Sequence, residues 1–189
     1  METDKTTLKD LAIFDRDDEF SVFSKLNFTR TTGGRERLRQ IFSSSLNDIE
    51  SIKNVQKTLQ LILANRQQWP LFISNGTVMM IHKFYESTID DIPSRPTILS
   101  ARLYKLLHGP DFSLVKYSIG HTFDFIKGMK QIVSVFLNDD APLNFKKQLQ
   151  KAKILTEKTQ FLIVSQKEKA ADMSIADMLA LAYFIRNHY

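Results

Sequence analysis

From Phe112 to Phe136 the apolar residues Phe112, Val115, Ile119, Phe123, Ile126, Met129, Val133 and Phe136 recur at intervals of three or four. Such a period puts one continuous apolar stripe on a helix, and a strand cannot satisfy it. A short break at "NDDAP" (138–142) follows, and Phe145, Leu149, Ala152, Leu155 and Leu162 continue the pattern through the stretch 143–169. At ~1.5 Å per residue, two helices of about 25 residues would each extend roughly 38 Å. So short a connection predicts that they fold back on one another as an antiparallel hairpin.

The rest of the chain also reads as helix. Phe20, Phe23 and Leu26 repeat by three after an acidic first turn at Asp17-Asp18. Residues 33–42 predict a short helix with Leu38, Ile41 and Phe42 on one side. Leu46-Asn47-Asp48 offers a cap for a helix carrying Ile49, Ile52, Val55, Leu59, Ile62 and Leu63. Pro70 and Asn75-Gly76 predict its end, and another helix is expected over 78–87. Pro93 and Pro96 mark a loop, and residues 98–108 a short helix stopped by Gly109-Pro110. "SIAD" at Ser174–Asp177 is a capping-box pattern that starts a last helix through Met178, Leu181, Ala182 and Ile185. Apart from "LAIF" (11–14), no window alternates as a half-buried strand does. The fold class expected is all-α, a helical bundle with a long antiparallel helix hairpin.

Charge is localised. Lys146, Lys147, Lys151, Lys153, Lys158, Lys167 and Lys169 stand against Glu157 and Glu168, and this stretch accounts for the whole net charge of +5. A concentrated basic segment fits contact with something anionic, and it also fits a solvated face that keeps a long helix soluble. With no cysteine among 189 residues, disulfides, thiolate metal sites and cysteine nucleophiles are excluded. The opening "METDKTTLKD" has neither the basic nor the apolar region of a signal peptide, and no stretch approaches a membrane span of ~18 apolar residues. A cytoplasmic location is expected. No phosphate-loop, H-E-x-x-H or G-x-S-x-G pattern occurs, and His82, His108, His121 and His188 are scattered. No catalytic residue and no metal site is expected in this chain.

The adjacent Gly33 and Gly34 admit two explanations. With Thr32 as N-cap they would lie in the first helical turn, where bare N–H groups could receive an anion helped by Arg30, Arg35, Arg37 and Arg39. Glycine at a helix start also lets backbones approach closely, and the apolar side formed by Leu38, Ile41 and Phe42 favours packing.

Taken in order, "TTLKDLAIF" (6–14), "SVFSKLNFTRTTGGRERLRQIF" (21–42) and "SSLNDIESIKNVQKTLQLI" (44–62) resemble the opening of the core, or lever, domain of the MutS family of DNA mismatch repair proteins. Leu8, Leu11 and Ile13 match its first element. Asn27, Thr29, Thr31, Gly34 and Leu38 match its N-x-T-x-T-x-x-G-x-x-x-L element, and Leu46, Asp48 and Ile52 the helix start after it. The close, "IADMLALAYFIRNHY", resembles the helix that leads from the lever into the ATPase domain, which fits its lack of a stop signal. Glu36, Ser45 and Val55 stand where the family commonly has arginine, proline and arginine, and suit a divergent branch. The resemblance implies a single core/lever domain over 1–189, with a helical head at 1–109 and a long arm at 110–189. It leaves no room for the mismatch-reading and connector domains, and none for the clamp usually inserted between the lever helices. It further implies an ATPase domain downstream that would bind ATP and Mg²⁺, a homodimer in the full-length form, and double-stranded DNA as partner. On charge placement alone, Lys146, Lys147, Lys151, Lys153 and Lys158 are the candidate phosphate contacts. The alternative is a helical protein–protein interaction module without a nucleic-acid role.

Overall fold

A computed structural model describes residues 10–14, 21–44, 46–89 and 91–188. Among these the chain is all-helical, with no strand. The helices are α1 (Val22–Leu26), α2 (Thr32–Ser43), α3 (Ile49–Ala64), α4 (Asn75–Glu86), α5 (Ile98–Leu107), α6 (Gly109–Phe136), α7 (Leu143–Thr156), α8 (Leu162–Gln166) and α9 (Ile175–His188). The expected acidic turn at 17–18 and Phe20 lie outside the described residues. The chain divides into two compact units, residues 1–59 and 60–189.

In the first unit Phe23 is fully buried. Phe14 tilts against it at 5.5 Å between ring centroids, and Phe42 of α2 meets it edge-on at 5.9 Å. Arg39 lies over both Phe14 and Phe23. "LAIF" forms no strand, although Ala12 and Ile13 carbonyls accept from the Val22 and Phe23 amides. Helix α2 begins one residue earlier than expected. Its N-cap is Thr31, whose hydroxyl accepts from the Gly34 amide at 3.0 Å. At the start of α3, Asp48 accepts from the Ser51 amide at 2.7 Å, the capping role its position predicts.

The second unit is built around α6, 28 residues long, against which α4, α5, α7, α8 and α9 all pack. Its apolar stripe behaves as its spacing requires: Phe112, Val115, Ile119, Phe123, Ile126, Val133 and Phe136 are buried. Two cores succeed one another along it. The larger joins Phe112–Ile126 to α5 and to Met178, Leu179, Leu181, Ala182, Phe184 and Ile185 of α9. The smaller joins Ile132 and Phe136 to Leu149, with Leu61, Ile62, Ile73 and Phe145 against it. Because α9 is apolar on several sides, it is enclosed as a core helix.

Three expectations need correction. Asn75-Gly76 does not end a unit; it opens α4, because Ser74 and Thr77 form a reciprocal cap ahead of it. Gly109-Pro110 likewise opens α6, where a missing N–H costs no helical bond. His108 thereby closes α5 and heads α6 at once. The third concerns the return limb. Phe136 does meet Phe145 across a short turn, and α7 packs back along α6. Yet α7 stops at Thr156 after 14 residues rather than running to about 25. The stripe loses phase there: Leu149 and Thr156 are buried seven apart, but the next buried residues, Phe161 and Val164, follow five and eight residues on, off that face. Helix must break for Phe161 to reach Phe184 of α9, which it meets edge-on at 5.6 Å. Leu155 and Leu162, expected on the stripe, instead leave 44% and 46% of their surface exposed.

Candidate nucleic-acid interface

On α7 the buried side is set by Leu149 and Thr156, with Phe145 half-buried beside them. At 100° per residue, Lys147 and Lys151 point to the opposite, solvent side, where Leu143 and Ile154 are also exposed. Lys146 and Lys153 fall on the margins, each beside a carboxylate. Lys146 Nζ lies 3.2 Å from Asp139 Oδ1 in the turn, and Lys153 Nζ 3.9 Å from Glu157 Oε1 one turn on. Lys158, just past the helix, has its ammonium 6.0 Å from the Phe184 ring centroid, within cation–π range. The five candidate phosphate contacts are therefore divided. Lys147 and Lys151 share an outward face, Lys146 and Lys153 are drawn toward acids, and Lys158 turns toward the core.

Two further lysines, outside the basic stretch of the sequence, line the seam between α6 and the returning chain. Lys127 Nζ donates to the Glu168 carbonyl at 2.8 Å, and Lys130 Nζ donates to Ser165 Oγ of α8. Lys130 sits four residues after Ile126 and three before Val133, hence on the edge of the apolar stripe, and that spacing is the signal that could have found it. Burial pulls its ammonium below the usual lysine range, and the Glu157 carboxylate opposes that shift. Lys130, Val133 and Ser134 of α6, with its C-cap Leu137, face Lys153 and Thr156 of α7, with its C-cap Glu157, and Leu162 and Ser165 of α8 across a groove of about 500 Å³.

The N-x-T-x-T-x-x-G residues form a local structural device. Asn27 Oδ1 accepts from both the amide and the hydroxyl of Thr29. A Cβ on Gly34 would stand 2.9 Å from Thr31 Oγ1 and 3.4 Å from Thr29 Cβ. A side chain at this position would crowd the two threonines that close over it. The Gly34 amide is already taken by Thr31 and is not open to an anion. Leu38, the last residue of the element, is half-buried on α2.

The histidines are not gathered. His108 stacks on Tyr104 at 4.9 Å and lies 3.9 Å from Asp111, while His121 meets Tyr117 edge-on at 4.7 Å. Among the described residues no three His, Asp or Glu side chains could together hold a metal ion, and no helix is long and apolar enough to cross a membrane. No protein-family model, no curated protein and no solved structure matches this chain.

Proposed function

We propose that the chain is a lever module of a MutS-like, ATP-dependent, DNA-associated protein. In this proposal it relays the state of an ATPase domain toward DNA and performs no catalysis itself. The supporting observation is the two-core construction of α6. Helix α9, the segment that resembles the link to an ATPase domain, belongs to the core on the N-terminal half of α6. The turn and α7, with the outward Lys147 and Lys151, belong to the core at its C-terminal end. From Ile119 to Phe136 the axial separation is about 26 Å, and the backbone hydrogen bonds between them resist bending. A displacement of α9 against Ile119 or Phe123 is delivered at Phe136 as motion of the whole rod. Duplex DNA, ATP with Mg²⁺ and a second copy of the full-length chain are the partners this proposal carries.

A salt titration of duplex-DNA binding tests it. Weak, sequence-insensitive binding should fall steeply with salt. Replacing Lys147 and Lys151 by Gln should flatten the log–log slope by about 0.9 for each phosphate no longer neutralised. A flat null at low salt would remove the DNA role. It would leave the second reading, a helical protein–protein module, which the outward leucines of α5 favour: Leu99 is 79% and Leu106 80% exposed.

A further inference from the structure

Lys130 is unusual among the lysines of the second unit. Its ammonium lies partly within the groove between α6, α7 and α8, and burial makes its charge costly there. Its bond to Ser165 Oγ supplies a dipole, and among the described residues it forms no ion pair. Lys153, on the α7 wall, is held only loosely by Glu157 at 3.9 Å. The hydroxyls divide in an informative way. Ser134 donates to the Gln131 carbonyl and Thr156 to the carbonyls of Ala152 and Lys153, so their protons are committed to their own helices. Ser165 accepts from Lys130 through a lone pair, so its proton remains to be donated. Lys130, Lys153 and Ser165, drawn from three helices, thus line one concave space together with a single acidic residue, Glu157. Val133, Leu137 and Leu162 supply its apolar wall. At about 500 Å³ it has room for an anionic head with an organic substituent.

We propose that this groove binds a phosphate group through Lys130, Lys153 and the Ser165 hydroxyl, with Glu157 as a built-in competitor that the phosphate displaces from Lys153. The phosphate can belong to a free phosphorylated molecule or to a nucleic-acid backbone, and the recognising chemistry is the same. The site is separate from the outward face of Lys147 and Lys151.

The 189-residue chain titrated with pyrophosphate, followed by calorimetry and by amide shifts, provides the test. Saturable binding is expected, with shifts centred on Lys130, Ser134 and Ser165. Lys130→Met, which keeps the side-chain length and removes the charge, should weaken binding at least tenfold, about 1.4 kcal/mol. Ser165→Ala, at an exposed position, should weaken it less and is the control should Lys130→Met alter folding. Glu157→Gln should tighten binding by about two- to fivefold, since it frees Lys153. Absence of saturable binding, indifference to both Lys130→Met and Ser165→Ala, or weaker binding by Glu157→Gln would each overturn the proposal. Duplex DNA then separates the sources. A parallel loss of duplex and pyrophosphate affinity in Lys130→Met assigns the phosphate to a nucleic-acid backbone. Intact duplex binding beside lost pyrophosphate binding assigns it to a free molecule. Pyrophosphate binding with no duplex binding at all leaves the groove standing and removes the DNA role.

Discussion

Single atoms decide several stabilities in the second unit. Tyr104 is buried beside His108, and its hydroxyl has no partner among the described residues; Ser118 Oγ on α6 is in the same position. Burial, with Asp111 nearby, pushes the Tyr104 hydroxyl above the usual tyrosine range. A buried donor left unsatisfied costs about 1–3 kcal/mol, so Tyr104→Phe and Ser118→Ala should each raise stability by roughly 1 kcal/mol in urea melts. A loss in both would mean that the hydroxyls are bonded. Two glycines of α6 make a contrasting pair. A Cβ at Gly120 meets nothing within 4 Å, whereas one at Gly128 would stand 2.7 Å from Ile73 Cγ1 and 3.1 Å from Phe72 Cε2. Gly120→Ala should stabilise by about 0.5–1 kcal/mol through helix propensity. Gly128→Ala should destabilise by about 1 kcal/mol or more, because Ile73 must give way. Equal effects at the two sites would remove the close approach of Ile73 as the reason for glycine.

The elements were legible in proportion to how far local periodicity governs them. The stripe from Phe112 to Phe136 fixes α6 and its buried face, and Asp48, Ser174 and Asp177 cap where short-range chemistry says they should. Asn75-Gly76 misled because the same dipeptide suits a turn or the first turn of a helix, and Ser74 with Thr77 selects the helix. The break after Thr156 was illegible because Phe161, in place of the stripe's Leu162, turns inward to a partner, Phe184, that is 23 positions away in sequence. Of the candidate site, the run of lysines located α7, but it could not tell Lys147 from Lys146. Only the fold places Asp139 beside one and solvent beside the other. Capping at α3 carries its own test. Bonds from Ser51, side chain first and then backbone, hold the Asp48 carboxyl below its ordinary value of 3.8. A depressed carboxyl stabilises the folded form above the unfolded value, and that contribution is lost as pH falls through the folded value. The stability difference between the wild type and Asp48→Asn should therefore be present at neutral pH and shrink below pH 3.8. A difference that grows on acidification would contradict the capping role.

At the scale of the molecule, the two units differ in what holds them. In residues 1–59, Phe23 is the one buried apolar side chain among the described residues, whereas the second unit has two successive cores. So small a unit has little apolar area to set against chain entropy. Phe23→Ala, which removes about 3–5 kcal/mol from an aromatic core site, should abolish amide protection in α1 and α2 and leave that of α6 and α9 unchanged. Simultaneous loss of protection in α6 would show one cooperative structure in place of two. The junction at His108 bears on the second unit as a whole. One residue, with φ −119° and ψ 49°, ends α5 and begins α6, so nothing else in the backbone separates the two axes. The angle at which the leucine-bearing helix leaves the long rod is therefore written in two torsions of one residue and locked by the burial of Ala101 and Tyr104, so His108→Pro should disorder that corner before any other part of the unit.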